Sequence, residues 1–314
     1  MKYIKHRLPE TRNEWLENRL KGIGGSDAAA AIGYSPWVSP YTLWCEKRGL
    51  IVCEDTDNES MRIGRDLEDY VATRFTEATG KKVRKSSFSY QSVEHPFMLA
   101  NVDRLIVGED AGLECKTTSA LTRTKYDKGN IPIQYYIQCM HYMAVTRKKK
   151  WYIAILVLGV GFYWFEVHWD DAEIQSLIKQ EKEFWYKVEN GIEPELDGTQ
   201  STIDTIKKMY PDADCSTVNL DDKEKILLRY AEIKQYIAKL NKEKSEIENI
   251  IKREMQTSEA GIAEGFTVKW KNQKQLRVDA KTLEKEYPEI YAKVLKEVKL
   301  RRFEVKEESQ NDNN

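Results

Sequence analysis

Gly112-Leu113-Glu114-Cys115-Lys116, preceded by Asn101-Val102-Asp103-Arg104, is the stretch on which the fold turns. Side chains alternate across a strand, so Glu114 and Lys116 share one face and Cys115 takes the other. Met98 to Val107 reads as the preceding strand, with Gly108-Glu109-Asp110-Ala111 as the turn between them. A hairpin closing there brings the Asp103 carboxylate toward Glu114. The neighbours Leu99, Val102, Leu105 and Leu113 are apolar, and acids in such surroundings are costly without a compensating cation. Taken alone, an Asp followed by Glu-x-Lys also describes a solvated charge pair, so the surrounding elements must decide.

Upstream, Ile63, Leu67, Val71, Phe75 and Ala78 recur at helical spacing and Gly80 closes the run, which places Glu68 on a helix beside its buried stripe. Before it come a helix over Asn13 to Leu20, the turn Gly22-Ile23-Gly24-Gly25, and a second helix with Ser26 or Asp27 as N-cap. Ser86 to Tyr90 reads as a strand. Downstream, a helix runs from Pro132 to about Thr146, followed by strands Trp151 to Leu158 and Phe162 to Trp169 and a helix from Asp171 to Glu189. The resulting order is α, β-meander, α, β-hairpin, α. It predicts an α/β core, a central mixed sheet flanked by helices. The aromatic pair of strands reads as core packing ahead of a base-stacking surface.

Gly191 to about Asn219 is richer in Pro, Gly, Asp, Ser and Thr and poor in periodicity. The expected division is therefore a domain over 1–200, a linker over 201–219, a helical extension over 220–306 and a disordered polar tail over 307–314. In the extension Ile226, Tyr230, Ile233, Ile237, Leu240, Ile247 and Ile251 keep the 4-3 spacing of a heptad seam, with Lys244 in one seam position. That helix needs a partner: a helix from about Ala280 within the chain, another subunit, or another protein. Phe266 to Trp270 and Gln275 to Asp279 read as a hairpin.

Of 314 residues, 41% are hydrophobic and 32% charged, the balance of an ordinary globular protein, and no apolar run reaches membrane-spanning length. The first residues, MKYIKHRLPETRNEW, lack the apolar core of a secretory signal, so the cytoplasm is expected. Cysteines 45, 53, 115, 139 and 215 form no CxxC pair and no iron–sulfur or zinc spacing, and read as reduced core residues. A net charge of -1 gives no global pull on nucleic acid. Any such attraction must come from Lys81 to Lys85 and from Arg147 to Lys150, although cations at the latter also suit a helix C-terminus.

Mg²⁺ takes oxygen ligands and keeps several waters, so Asp103, Glu114 and the Cys115 backbone carbonyl suffice, with Glu68 as a third carboxylate. Lys116 would orient the attacking water beside it or lower its pKa. Gln138 shares a helix face with Gln134 and His141, and that face also suits a solvated polar stripe.

In sequence order the chain carries Trp15-Leu16-Glu17-Asn18-Arg19-Leu20 with Gly22-Ile23-Gly24-Gly25-Ser26-Asp27; then Gly64-Arg65-Asp66-Leu67-Glu68, Val102-Asp103 and Leu113-Glu114-Cys115-Lys116; and last Gln138 within Tyr136 to Tyr142. Residues 13 to about 190 thereby resemble the YqaJ-like viral recombinase and phage lambda exonuclease family, a branch of the PD-(D/E)xK nucleases. The resemblance implies Mg²⁺-dependent 5′ to 3′ digestion of linear duplex DNA, with Mn²⁺ able to substitute. It also implies a homo-oligomer, often a trimeric ring, acting on DNA ends with a phage single-strand annealing protein in a bacterial host. By the same resemblance Arg19 and Ser26 bind the terminal 5′-phosphate and Gln138 joins Glu68, Asp103, Glu114 and Lys116 in the catalytic centre. Two alternatives stand beside this reading. One is a structure-specific or restriction-like endonuclease on the same fold, and the other is a non-catalytic DNA-end or protein-binding module.

Overall fold

The computed structural model describes residues 3–52, 58–122, 126 and 129–307; Cys53 and most of the expected tail lie outside them. The chain forms two units, residues 1–210 and 211–314.

The first unit contains β1 (Tyr3–Arg7), α1 (Arg12–Leu20), α2 (Gly25–Ala31), α3 (Pro40–Lys47) and α4 (Glu59–Thr79). Then come β2 (Val83–Lys85), β3 (Phe88–Ser92), β4 (Leu99–Ala100), β5 (Arg104–Ile106) and β6 (Ala111–Thr118). It ends with α5 (Ile133–Thr146), β7 (Lys150–Val157), β8 (Gly161–His168), α6 (Asp171–Asn190) and α7 (Gln200–Met209). The central sheet has the order β2-β5-β6-β7-β8. Only β6 and β7 run parallel, with Glu114 opposite Ile153 and Lys116 opposite Ile155, because α5 returns the chain to the start of the sheet. Of the two aromatic strands β7 is buried in the core, whereas on β8 Phe162, Tyr163 and Phe165 are partly buried and Trp164 is exposed. Alternation along β7 sends Trp151, Ile153 and Ile155 to the side of α2, α3, α5 and α6, and Tyr152 and Ala154 to the side of α4, against Val71 and Phe75.

The single strand expected over residues 98–107 is two. Leu99–Ala100 pairs with β3 in a small sheet with β1, whereas Arg104–Ile106 pairs with β2 and β6. One strand cannot serve both ladders, so the chain changes sheets at residues 101–103, and Asp103 sits at that bend rather than within a strand.

Half of the expected linker is also structured: α7 packs on α3 through hydroxyls. Thr42 Oγ1 and Thr205 Oγ1 are 2.8 Å apart, and Thr202 donates to Ser39 Oγ at 2.8 Å. Apart from Met209, which meets Tyr41 and Cys45, these contacts are made by Ser and Thr, which give little apolar periodicity, and that is why the sequence resembles a loop.

In the second unit α8 (Glu224–Met255) is the expected long helix. The hairpin is shifted upstream: β9 (Ala260–Ala263) pairs with β10 (Phe266–Lys269) across a tight turn in which Gly265 takes a φ of 75°, a conformation glycine adopts freely. Gln275 to Asp279 is not a strand. The helix from Ala280 is two short ones, α9 (Ala280–Glu286) and α10 (Pro288–Val294), since proline cannot continue the hydrogen-bond ladder. Among the described residues, no helix is long and apolar enough to cross a membrane.

Candidate active site

Glu114 and Lys116 lie on one face of β6, as alternation requires, and Lys116 Nζ is 2.6 Å from Glu114 Oε1. Gln138 comes from α5 beneath the sheet. It is buried, not solvated. Its Nε2 donates to the same Glu114 oxygen at 2.7 Å and to the Tyr142 hydroxyl, one helical turn on, at 2.8 Å. Glu114 is 2% exposed, and its Oε2 has no hydrogen-bond partner. Asp103 is fastened to the same strand, its Oδ2 accepting the Cys115 N–H at 2.8 Å. The sheet change at residues 101–103 therefore delivers Asp103 to Glu114.

Burial and the neighbouring Glu114 push the Asp103 carboxyl well above the usual carboxylate range. Burial pulls the Lys116 ammonium down, but Glu114 and Asp103 more than reverse this and raise it. Lys116 is thus a fixed cation at neutral pH, suited to orienting a water or an anionic oxygen and not to accepting a proton. These groups line a cleft of about 550 Å³ that Arg12, Arg19, Arg65 and Glu68 also line.

Glu68 reaches this cleft, but its Oε1 is held by Arg104, whose Nη2 donates to Asp69 Oδ1 at 2.5 Å. Arg104 is 3% exposed and was not among the expected site residues. The signal available was an arginine immediately after Asp103 in an otherwise apolar strand. With Glu68 so engaged, no three His, Cys, Asp or Glu side chains among the described residues come together closely enough to hold a metal. Asp103 and Glu114 nevertheless fit a hard cation. They supply two carboxyl groups to one cleft, and the buried Glu114 oxygen that no hydrogen-bond donor holds is the electron-pair donor such an ion requires.

Arg19 stacks on Trp15 at 4.9 Å and donates to Asp27 Oδ1 at 2.5 Å. Asp27 is not the N-cap. Gly24 holds that position, and Asp27 is a buried anion that also takes Lys47 Nζ at 2.6 Å and the Gly24 N–H at 3.2 Å. Burial alone raises its carboxyl, but Lys47 and Arg19 outweigh this and bring it to about 2. Ser26 is exposed on the first turn of α2. The glycines of this motif permit close packing. A Cβ on Gly22 would lie 2.4 Å from the Phe97 carbonyl oxygen, and one on Gly25 would lie 2.3 Å from the Tyr142 ring.

His141 is wholly buried, bridging Glu181 at 2.8 Å and the Leu99 carbonyl at 2.9 Å. The basic clusters are largely neutralised: Lys81 pairs with Glu109, Lys85 with Asp69, Arg147 with Glu94 and Lys148 with Asp110. Cys45 and Cys139 are buried free thiols, while Cys215, expected in the core, is exposed.

A mixed sheet carrying Asp103 at the mouth of one strand and Glu114-x-Lys116 on the next defines the chain as a nuclease of the PD-(D/E)xK class. Residues 14–149 match the family described as YqaJ-like viral recombinase domain. The YqaJ protein of Bacillus subtilis (strain 168) is 40% identical over 305 residues, 95% of either chain. The chain therefore belongs to the YqaJ-like viral recombinase family. Among solved structures, the alkaline exonuclease LHK-Exo of Laribacter hongkongensis in complex with dAMP is similar in fold. It is 20% identical, covers 57% of this chain and 94% of its own, and has a TM-score of 0.50.

Proposed function

We propose that the chain is a Mg²⁺-dependent exonuclease that digests linear double-stranded DNA from its 5′ ends, in partnership with a phage single-strand annealing protein. The observation that carries this reading is the convergence of Lys116 and Gln138 on one Glu114 oxygen while the other, buried, has no partner. Asp103, Glu114 and the Cys115 carbonyl would hold the cation. When bound, Mg²⁺ supplies polarisation of the scissile phosphate and a water of lowered pKa. Lys116 orients that water and balances charge developing on the phosphate. Gln138 keeps Glu114 aimed into the cleft. Arg19, held flat by Trp15 and Asp27, presents its guanidinium to the terminal 5′-phosphate, with Ser26 nearby in sequence on α2.

End-labelled linear duplex and covalently closed circular DNA, each with Mg²⁺ and with EDTA, test the reading. Mg²⁺-dependent release of mononucleotides from the linear substrate alone is expected. Cleavage of the closed circle would identify an endonuclease instead.

A further inference from the structure

We propose that α8 pairs with α8 of a second copy of this chain as an antiparallel coiled coil. The seam runs from Ile226 to Ile251 along a helix of 32 residues, about 48 Å long. Its apolar members remain 38 to 67% exposed, too much for a finished seam. Among the described residues the chain's own cover lies at the two ends of the helix: Phe303 meets Tyr230 edge-on and Lys234 donates to the Val305 carbonyl in the first turns, and Met255 is buried beside Gly261 of the hairpin in the last.

The order of residues accommodates a second copy and selects its direction. Reflected about the point between Ala238 and Lys239, the seam maps onto itself: Ile226 meets Ile251, Tyr230 meets Ile247, Ile233 meets Lys244 and Ile237 meets Leu240. A second copy running the opposite way therefore sets an apolar side chain opposite each apolar seam position except Ile233, and the one cation lies against Ile233, over which its alkyl stem can lie with the ammonium at the rim. A parallel copy would set Lys244 against Lys244. It would also bring Arg229 to Lys234 and Glu243 to Glu248 across the flanking positions, three like-charge encounters. The antiparallel arrangement sets Arg229 beside Ile250, Tyr236 beside Glu243, Lys234 beside Asn241 and Leu227 beside Glu248, with no like-charge pair.

The test uses the full chain. The double substitution Ile237→Glu/Leu240→Glu changes residues already 52% and 63% exposed, so far-UV circular dichroism should be unchanged while the mass by light scattering falls by a factor of two. An unaltered mass overturns the proposal. Direction is read separately by oxidation and non-reducing electrophoresis, with the unsubstituted chain as baseline. The pair Ile233→Cys/Lys244→Cys should give a covalent dimer, since two positions eleven residues apart on one helix are about 16 Å from each other and cannot bridge internally. Neither single variant should do so. A covalent dimer from Lys244→Cys alone means a parallel pair and overturns the proposed direction.

Discussion

Gln138 and Glu114 are joined by a buried hydrogen bond of 2.7 Å, from Nε2 to Oε1. The same oxygen receives Lys116, so both donors gather on one side of the carboxylate and leave Oε2 unpartnered. A carboxylate held in this way is aimed before any ligand arrives, which removes the ordering cost from the binding step.

Lys116→Ala and Asp103→Asn are expected to lower mononucleotide release from linear duplex DNA by at least about 100-fold, with the thermal transition of Asp103→Asn within a few degrees of the parent and that of Lys116→Ala lower, because the buried Glu114 loses its cation. Acid-soluble nucleotide and melting curves measure the two effects. Full activity in either variant would remove that residue from the site.

Gln138→Ala strips the neutral donor from Glu114 and from the Tyr142 hydroxyl while leaving the charged groups in place. Loss of a residue that orients a metal ligand costs about 10- to 100-fold in metal affinity or activity. The deficit should shrink as Mg²⁺ is raised if Gln138 acts through ligand orientation. A deficit independent of Mg²⁺ would place it elsewhere in the reaction.

Glu114 and Lys116 were legible because strand alternation is a local rule and the two are next-but-one neighbours. Asp103 was legible as a residue but not as a bend, since the sheet change depends on which strands β4 and β5 meet. Arg104 holding Glu68 and Asp69 joins elements far apart in sequence, and Arg19 and Lys47 converge on Asp27 from two other helices; no periodicity within one element reports such pairs. Gln138 was ambiguous by periodicity because its polar companion His141 is also buried, paired with Glu181. A buried polar face and a solvated one have the same sequence pattern. The hydroxyl interface of α7 was hidden for the same reason.

Asp27 supports an acid-sensitive contact. Its folded pKa of about 2 lies below the ordinary 3.8, so its stabilisation is present above 3.8 and is lost as pH falls toward 2. The difference corresponds to about 2 kcal/mol. Asp27→Asn should cost at least that much at pH 7, because it also strands the buried Lys47 ammonium. Urea unfolding of the two proteins should show the gap narrowing as pH falls below 4. A constant gap would mean that the charge is not responsible.

Gly25→Ala would press a methyl to 2.3 Å from the Tyr142 ring. Overpacking of this kind costs about 1–3 kcal/mol, and Tyr142 passes the displacement to Gln138 through their hydrogen bond. Stability and activity should therefore fall together, whereas Tyr142→Phe, which keeps the ring, should retain most of the stability.

Arg19→Ala separates substrate recognition from folding. Asp27 has two cations within reach, and Lys47, with only 3% of its side chain exposed, remains after Arg19 is removed. The substitution therefore leaves the buried carboxylate paired and should change the melting temperature little. What it removes is a guanidinium lining the cleft that holds Asp103 and Glu114. If that group receives the terminal phosphate, the rate on 5′-phosphorylated duplex should fall about tenfold or more, the size of one charge-assisted contact. The rate on 5′-hydroxyl duplex, which offers nothing for Arg19 to bind, should hardly move. The ratio of the two rates is the informative quantity, because a general disturbance of the cleft lowers both equally and leaves the ratio unchanged.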